Sequence, residues 1–347
     1  MTLTDRLATL TQLGQHLTGP EDEFLTALQK RTEFNNGWFT LENQRAAVAA
    51  IATQFLDGDK LRAWVAPDAG IRDDEGGPDK TVGLILAGNI PLVGFHDILS
   101  VYVAGHRARI KLSSKDEYVL PYLLQLLARF DARAADYFEI VPLLKDFDAV
   151  IATGSNNSAR YFEAYFGKYP HIIRRNRNAV AVLTGEETEE QLRGLGHDVF
   201  RYFGLGCRNV SKLYVPQDYD FQPLLEVFHE WKHLQNHVKW KNNFDYNYAL
   251  TTLNKESFHL TGPLMVLEEK AIVSRIGTLH FERYGARSRV QGELREQAEE
   301  IQLIVSGVPL PEVGEIPVFG FGEAQAPGLG DWADGVDVLA FLRGLAG

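Results

Sequence analysis

The chain is 347 residues long, 45% hydrophobic and 23% charged, enough for about two globular domains and too apolar for a disordered chain. Its 46 acidic against 35 basic residues give a formal net charge of -11, which argues against nucleic acid as a partner and leaves small anionic ligands to local basic groups. There is no basic segment followed by an apolar run at the start and no uninterrupted apolar run near ~18 residues. Together with a single cysteine, which excludes an intramolecular disulfide, this leads us to expect a soluble cytoplasmic protein with no membrane span.

The first 75 residues carry little signal. From there, TVGLILAG (81–88), RARIKLS (107–113), FEIVP (138–142), AVIATG (149–154) and AVAVLTG (179–185) each read as a strand buried on both faces. Between them, residues 91–104, 115–134, 155–167 and 186–203 carry helical spacing, so the alternation predicts a parallel α/β sheet. Several strands end in Gly, Asn or Ser, where ligands of open α/β sheets gather. A second segment follows, with SKLYVPQ (211–217), a long helical region near 219–239, AIVSRIGTLHFERYG (271–285) and IQLIVSG (301–307). The tail GDWADGVDVLAFLRGL (330–345) has an amphipathic helical pattern. We therefore place a first domain at 1–203, a second at 204–324 and a helical tail at 325–347 that packs back on the body. No P-loop pattern exists, and the one G-x-G-x-x-G/A match, GLGDWA (328–333), has no room for the βαβ unit that gives it meaning, so it reads as a turn.

Two stretches carry candidate chemistry. The first, HEWKH (229–233), has the spacing of a zinc-binding helix, and on an α-helix His229, His233 and His237 would spread over about 80° of one side. The extended third-ligand form is absent, Glu256 is the acid that could serve in its place, and the segment is as polar as an exposed helix. We expect a surface coincidence and no metal. The second is FGLGCRNVSKLYVP (203–216), in which Gly204 and Gly206 allow a tight turn just before Cys207 and a strand follows. A free cysteine is commonly a small buried hydrophobe. Here it should stand on an exposed corner between helix and strand, with Arg208 and Lys212 adding positive charge that favours thiolate, which points to a nucleophile.

The pieces LILAGNIPLVGFHDILSVYVAGHRARIKLSSKDE (84–117), VIATGSNNSARYF (150–162), IIRRNRNAVAVLTGEE (172–187), GLGCRNVSKLYVP (204–216) and FGEAQAPGLGDWADGVDVLAFL (321–342) resemble the LuxC-type fatty acyl-CoA reductases, in that family's order. That family is an offshoot of the aldehyde dehydrogenase superfamily. The resemblance implies an α/β, aldehyde dehydrogenase-like fold, with a Rossmann-like nucleotide domain and an α/β catalytic domain. It implies reduction of an acyl thioester, on CoA or on a carrier protein, to the aldehyde with NADPH, NADH being the alternative cofactor. Cys207 matches the nucleophile that forms an acyl-enzyme, and Asn89 matches the amide that with the Cys207 backbone N–H forms an oxyanion hole. On its own, Asn89 reads equally well as a turn former ahead of a proline.

Lys111 and Ser113 match a K-P-S-E pattern at the adenosine ribose, and Ser114 stands where that pattern has its acid, a departure that favours NADPH because serine can donate to a 2'-phosphate. Gly154 and Ser155 match a T-G-S turn that opens a helix near the pyrophosphate, although the same residues make an ordinary helix cap. Hydrolytic relatives carry a glutamate upstream of the cysteine, whereas residues 172–178 hold none. There Arg174, Arg175 and Arg177 are either solvated charge or holders of cofactor or CoA phosphates. The readings left open are a short-chain CoA-acylating dehydrogenase and an idle acyl-carrying partner. An acyl-transferring or synthetase partner and a homo-oligomer are compatible with all of them.

Overall fold

A computed structural model describes residues 1–66, 71 and 75–345. The chain divides into two units, Met1–Asn176 with Pro327–Gly347 and Arg177–Ala326. The sequence places the boundary at 203/204, and the structure divides instead at 176/177. The reason is that the strand read from AVAVLTG pairs with strands of the second unit.

The first unit opens with four helices, α1 (Leu3–Thr18), α2 (Glu23–Asn35), α3 (Leu41–Ala50) and α4 (Gly58–Val65). Each begins at a side-chain cap, Thr2, Asp22, Thr40 or Asp57, whose oxygen takes one of the amides a helix start leaves open. Thr2 and Asp5 close a reciprocal capping box. Leu3, Leu7, Leu10, Leu13 and Leu17 form one stripe of α1 that packs into the core of this unit.

Five parallel strands follow, β1 (Thr81–Ile85), β2 (Arg107–Lys111), β3 (Phe138–Ile140), β4 (Ala149–Thr153) and β5 (His171–Arg174), in the spatial order β3-β2-β1-β4-β5. The order reverses between β1 and β4, the position at which open α/β sheets bind ligands at their carboxyl edge. Helices α5 (Phe95–Val103), α6 (Val119–Phe130) and α7 (Asn156–Phe166) connect them. The tail returns to this unit: Val338, Leu339 and Leu342 of the helix Val338–Arg343 join its core, and the His106 ring meets the Leu342 carbonyl at 3.0 Å.

The second unit is built on a seven-stranded mixed sheet. Its strands are β6 (Asn178–Val182), β7 (Val210–Pro216), β8 (Phe258–Thr261), β9 (Leu264–Glu268), β10 (Thr278–Tyr284), β11 (Ile301–Ser306) and β12 (Val318–Phe319). They lie in the order β12-β11-β6-β7-β10-β9-β8, and β8 runs antiparallel to β9. Helix α8 (Glu189–Phe200) links β6 to β7, and α9 (Gln222–Phe228), α10 (Val238–Leu253) and α11 (Arg287–Glu296) complete the unit. The long helical region expected near 219–239 is three pieces, with a 3-10 segment His229–Asn236 between α9 and α10. Of residues 271–285, only Thr278–Tyr284 is strand. Among the described residues, no helix is long and apolar enough to cross a membrane.

Candidate active site

Cys207 stands half-buried on the turn between α8 and β7, at the amino end of β7. The corner is therefore less exposed than the sequence suggests. Three consecutive residues before it, Tyr202 (φ 51°), Phe203 (φ 58°) and Gly204 (φ 68°), are left-handed. Glycine takes that conformation freely, whereas each non-glycine residue costs about 1–2 kcal/mol. Burial of both aromatic rings offsets this cost, with Phe203 stacked on His237 at 4.3 Å.

A second device holds the turn. Asn209, 1% exposed, donates from Nδ2 to the carbonyls of Asp198 (3.0 Å) and Arg201 (2.9 Å) at the end of α8, and its Oδ1 accepts the Gly206 N–H at 2.8 Å. One side chain thus caps the helix and closes the turn on either side of the thiol.

Of the two cations assigned to the thiol, Arg208 donates from Nε to the Ala324 carbonyl and lies over the Phe319 ring. Lys212 is 1% exposed inside β7, paired with Glu282 at 2.7 Å and donating to the Lys270 carbonyl. Its charge is matched there, so it does not serve the thiol as the sequence implied.

The other candidate residues belong to the first unit. Because β1, β2 and β4 are parallel neighbours, Asn89 after β1, Lys111, Ser113 and Ser114 at and after the end of β2, and Gly154 and Ser155 after β4 share one edge of that sheet. The loop carrying Asn89 is pinned by Asp116, which accepts the N–H of left-handed Leu92 at 2.7 Å. Burial pushes the Asp116 carboxyl up to about 6 against the pull of that bond. Ser113 turns inward: a Cβ on Gly88 would lie 2.1 Å from Ser113 Oγ, so the loops after β1 and β2 touch through a position only glycine fits.

Ser114 is exposed, and the Lys111 ammonium has no hydrogen-bond or ion-pair partner among the described residues. Ser155 is the N-cap of α7, its Oγ accepting the Ser158 N–H, which leaves the first amides of an 11-residue helix facing outward. An ammonium, a hydroxyl and a helix start on one sheet edge form a donor set suited to an anion.

The three arginines have separate fates. Arg174 makes a buried bidentate pair with Asp97, at 2.6 and 2.9 Å. Arg175 meets Glu163 on the surface, and Arg177 reaches the carbonyls of Ala298 and Ile301. Neither reading of them as a cluster describes Arg174. In HEWKH, the 3-10 winding turns residues four apart by about 120° in place of 40°, so His229 and His233 do not share a face. Glu230 pairs with Arg193, and His237 caps α10. Among the described residues, no group of three or more His, Cys, Asp or Glu side chains is placed to hold a metal.

Asp116, Asp198, Asn209 and Gln325 were not singled out from the sequence. Asn209, two residues past the cysteine, carried a usable signal, since a short amide after a glycine turn commonly satisfies backbone groups. Asp198 reads as one polar residue in a helix, and its partners lie more than a hundred residues away.

Neither a family model nor a curated protein sequence matches the chain. Solved structures do. An NAD-dependent aldehyde dehydrogenase from Sinorhizobium meliloti superposes with a TM-score of 0.69 at 12% identity over 92% of this chain and 74% of that one. Aldehyde dehydrogenase 21 from Physcomitrella patens, in complex with the reaction product succinate, gives 0.64 at 14% identity over 97% and 79%. The P. syringae indole-3-acetaldehyde dehydrogenase AldA, in complex with NAD+ and IAA, gives 0.66 at 12% over 92% and 76%. The chain therefore has an aldehyde dehydrogenase-like fold, with a Rossmann-like parallel-sheet unit and a second unit on a mixed sheet.

Proposed function

We propose that this protein is a LuxC-type reductase that converts an acyl thioester, foremost a long-chain fatty acyl-CoA, to the aldehyde with NADPH through an acyl group carried on Cys207. The observation that carries the reading is the turn itself. The sole cysteine stands half-buried at the end of a helix, on a left-handed turn held by a fully buried asparagine. Left-handed non-glycine residues persist where the surroundings over-determine them, and such places cluster at functional sites.

In this reading the Cys207 thiolate attacks the thioester carbon, the Sγ–C bond forms, and the bond to the CoA sulfur breaks as that thiolate leaves and takes a proton. The Cys207 N–H and the Asn89 amide donate to the oxyanion, a role for Asn89 that rests on the resemblance of its GNIP segment. Lys111, Ser114 and the Ser155-capped start of α7 would hold the nucleotide, to which their donor set is suited. When bound, reduced nicotinamide supplies the hydride that takes the acyl group to the aldehyde oxidation level. The resulting thiohemiacetal on Cys207 then collapses, breaking Sγ–C and returning the thiol. Ser114, unlike an acid, does not repel a 2'-phosphate, which favours NADPH over NADH.

Residues 172–178 supply no carboxylate to activate water, and Arg174 is committed to Asp97. The acyl-enzyme should therefore persist without NADPH. Intact-mass analysis after mixing with long-chain acyl-CoA alone should show one added acyl group, absent in Cys207→Ala, that NADPH discharges as aldehyde. Release of free fatty acid without NADPH, or an adduct indifferent to NADPH, would overturn the reading.

A further inference from the structure

Beside the Cys207 turn lies a buried carboxylate that the acyl chemistry does not use. Asp198, in the last turn of α8, is 0% exposed. Its two oxygens each accept a backbone N–H from the segment 320–325: Gly322 at 2.7 Å to Oδ2 and Ala324 at 3.1 Å to Oδ1. That segment grips the residue next to the thiol. Arg208 donates from Nε to the Ala324 carbonyl, and Gln325 donates from Nε2 to the Arg208 carbonyl at 2.9 Å. The Asp198 carbonyl in turn accepts from Asn209 Nδ2. The segment sits directly on α8, because a Cβ on Gly194 would meet the Phe321 carbonyl group at 2.9 Å.

A carboxylate is a costly way to hold two amides in a buried place, since burial opposes its charge. Burial pushes Asp198 up to about 7. The Gly322 and Ala324 bonds and the Arg208 charge pull it down, and Glu323 adds to the rise. An asparagine offers one acceptor oxygen where two N–H groups converge, so the amide could hold only one of them.

We propose that Asp198 is a positioning residue for the Cys207 thiol: by clamping the segment 320–325, which holds Arg208 through both its side chain and its carbonyl, it fixes the turn on which Cys207 stands. The proposal rests on the reading of Cys207 as the acyl-carrying nucleophile and deepens it. Asp198 acts through Arg208 and the turn, not on the reacting atoms. Its ionised form holds both amides and its protonated form holds them less well, so the thiol should be best placed above about pH 7. The charged groups acting on that ionisation are Arg208 from the turn and Glu323 from the clamped segment.

The test compares wild type, Asp198→Asn and Gln325→Ala as full chains, reading both the pH profile of iodoacetamide alkylation at the sole cysteine and steady-state kinetics with acyl-CoA. Wild type should show an inflection near pH 7 beyond that of the thiol itself. Asp198→Asn should lose it, with kcat reduced about tenfold or more and KM changed less than about twofold. An Asp198→Asn protein with the wild-type pH profile and kcat overturns the proposal. If that variant does not fold, Gln325→Ala decides, because it leaves Asp198 and its two amides in place. A fall in kcat with the inflection retained supports the clamp, and unchanged kcat and alkylation overturn it. Cys207→Ala separates the two ideas: retained activity there sinks the nucleophile reading, while the alkylation arm still reports on the turn.

Discussion

Replacing Asn209 by alanine removes one side chain that serves both α8 and the Cys207 turn, and its cost can be worked from the structure. Three good hydrogen bonds go, at 2.8, 2.9 and 3.0 Å. A typical net contribution is about 1 kcal/mol each, and the Gly206 N–H left buried without its acceptor costs a further ~1–2 kcal/mol. Weakening the hold on the left-handed residues 202–204 releases a little of this. The expected loss is about 3–5 kcal/mol, localised in the second unit. For a unit of that size the melting temperature should fall on the order of 10 °C. Because two units need not unfold together, the assay should follow a local probe, hydrogen exchange of the last turn of α8 and alkylation of Cys207, beside the melt. A loss under about 1 kcal/mol with unaltered exchange at residues 198–206 would refute the reasoning.

Arg174→Ala should destabilise the first unit by about 3–5 kcal/mol in a urea melt, since it leaves the Asp97 carboxylate buried without its bidentate partner; a loss below about 1 kcal/mol would count against a desolvated pair. For Asp116 the folded carboxyl titrates at about 6 against an ordinary 3.8, so the folded chain binds more protons between those values. Stability from this site is then greatest below about pH 4 and falls by on the order of 2–3 kcal/mol as pH rises through 6, a slope that Asp116→Asn should remove when melts are compared across pH. Ser114→Glu should weaken NADPH more than NADH by about 1–3 kcal/mol in binding titrations, and equal losses for both would show that Ser114 does not meet the 2'-phosphate.

What the sequence conveyed follows from how local each signal is. The strands β1, β4 and β6 were legible because burial on both faces leaves continuous apolar runs, whereas β2, read the same way, alternates, with Ala108 and Ile110 buried between half-buried Arg107, Arg109 and Lys111. Nothing in AVAVLTG tells which sheet it joins: it pairs with β7, the next strand, and with the distant β11, so the compact unit begins at Arg177 and not at the glycine turn before Cys207. Helix α10 is polar around most of its surface, with only Trp240, Phe244, Asn247 and Thr251 buried, so it carried no periodic signal. The four opening helices were announced by their caps at Thr2, Asp22, Thr40 and Asp57, signals that went unused. The Cys207 turn was visible through its glycines. Its supports were not, since the groups that Asp198 and Gln325 hold become neighbours only on folding.

The first unit is written in two pieces, and this gives its assembly an order in time. Leu329, Val338, Leu339 and Leu342 fill its core, and the carbonyls of Leu329 and Leu342 receive the rings of His96 and His106. A ribosome making ~5–20 residues per second reaches them on the order of ten seconds after Asn176. The second unit, continuous from Arg177 to Ala326, is fully synthesised first. Until the last stretch arrives, α5 lacks part of its cover and the first unit stays open to chaperones and proteases. Pulse-labelled chains halted before residue 327 should be cut within residues 1–176 and spared within 177–326.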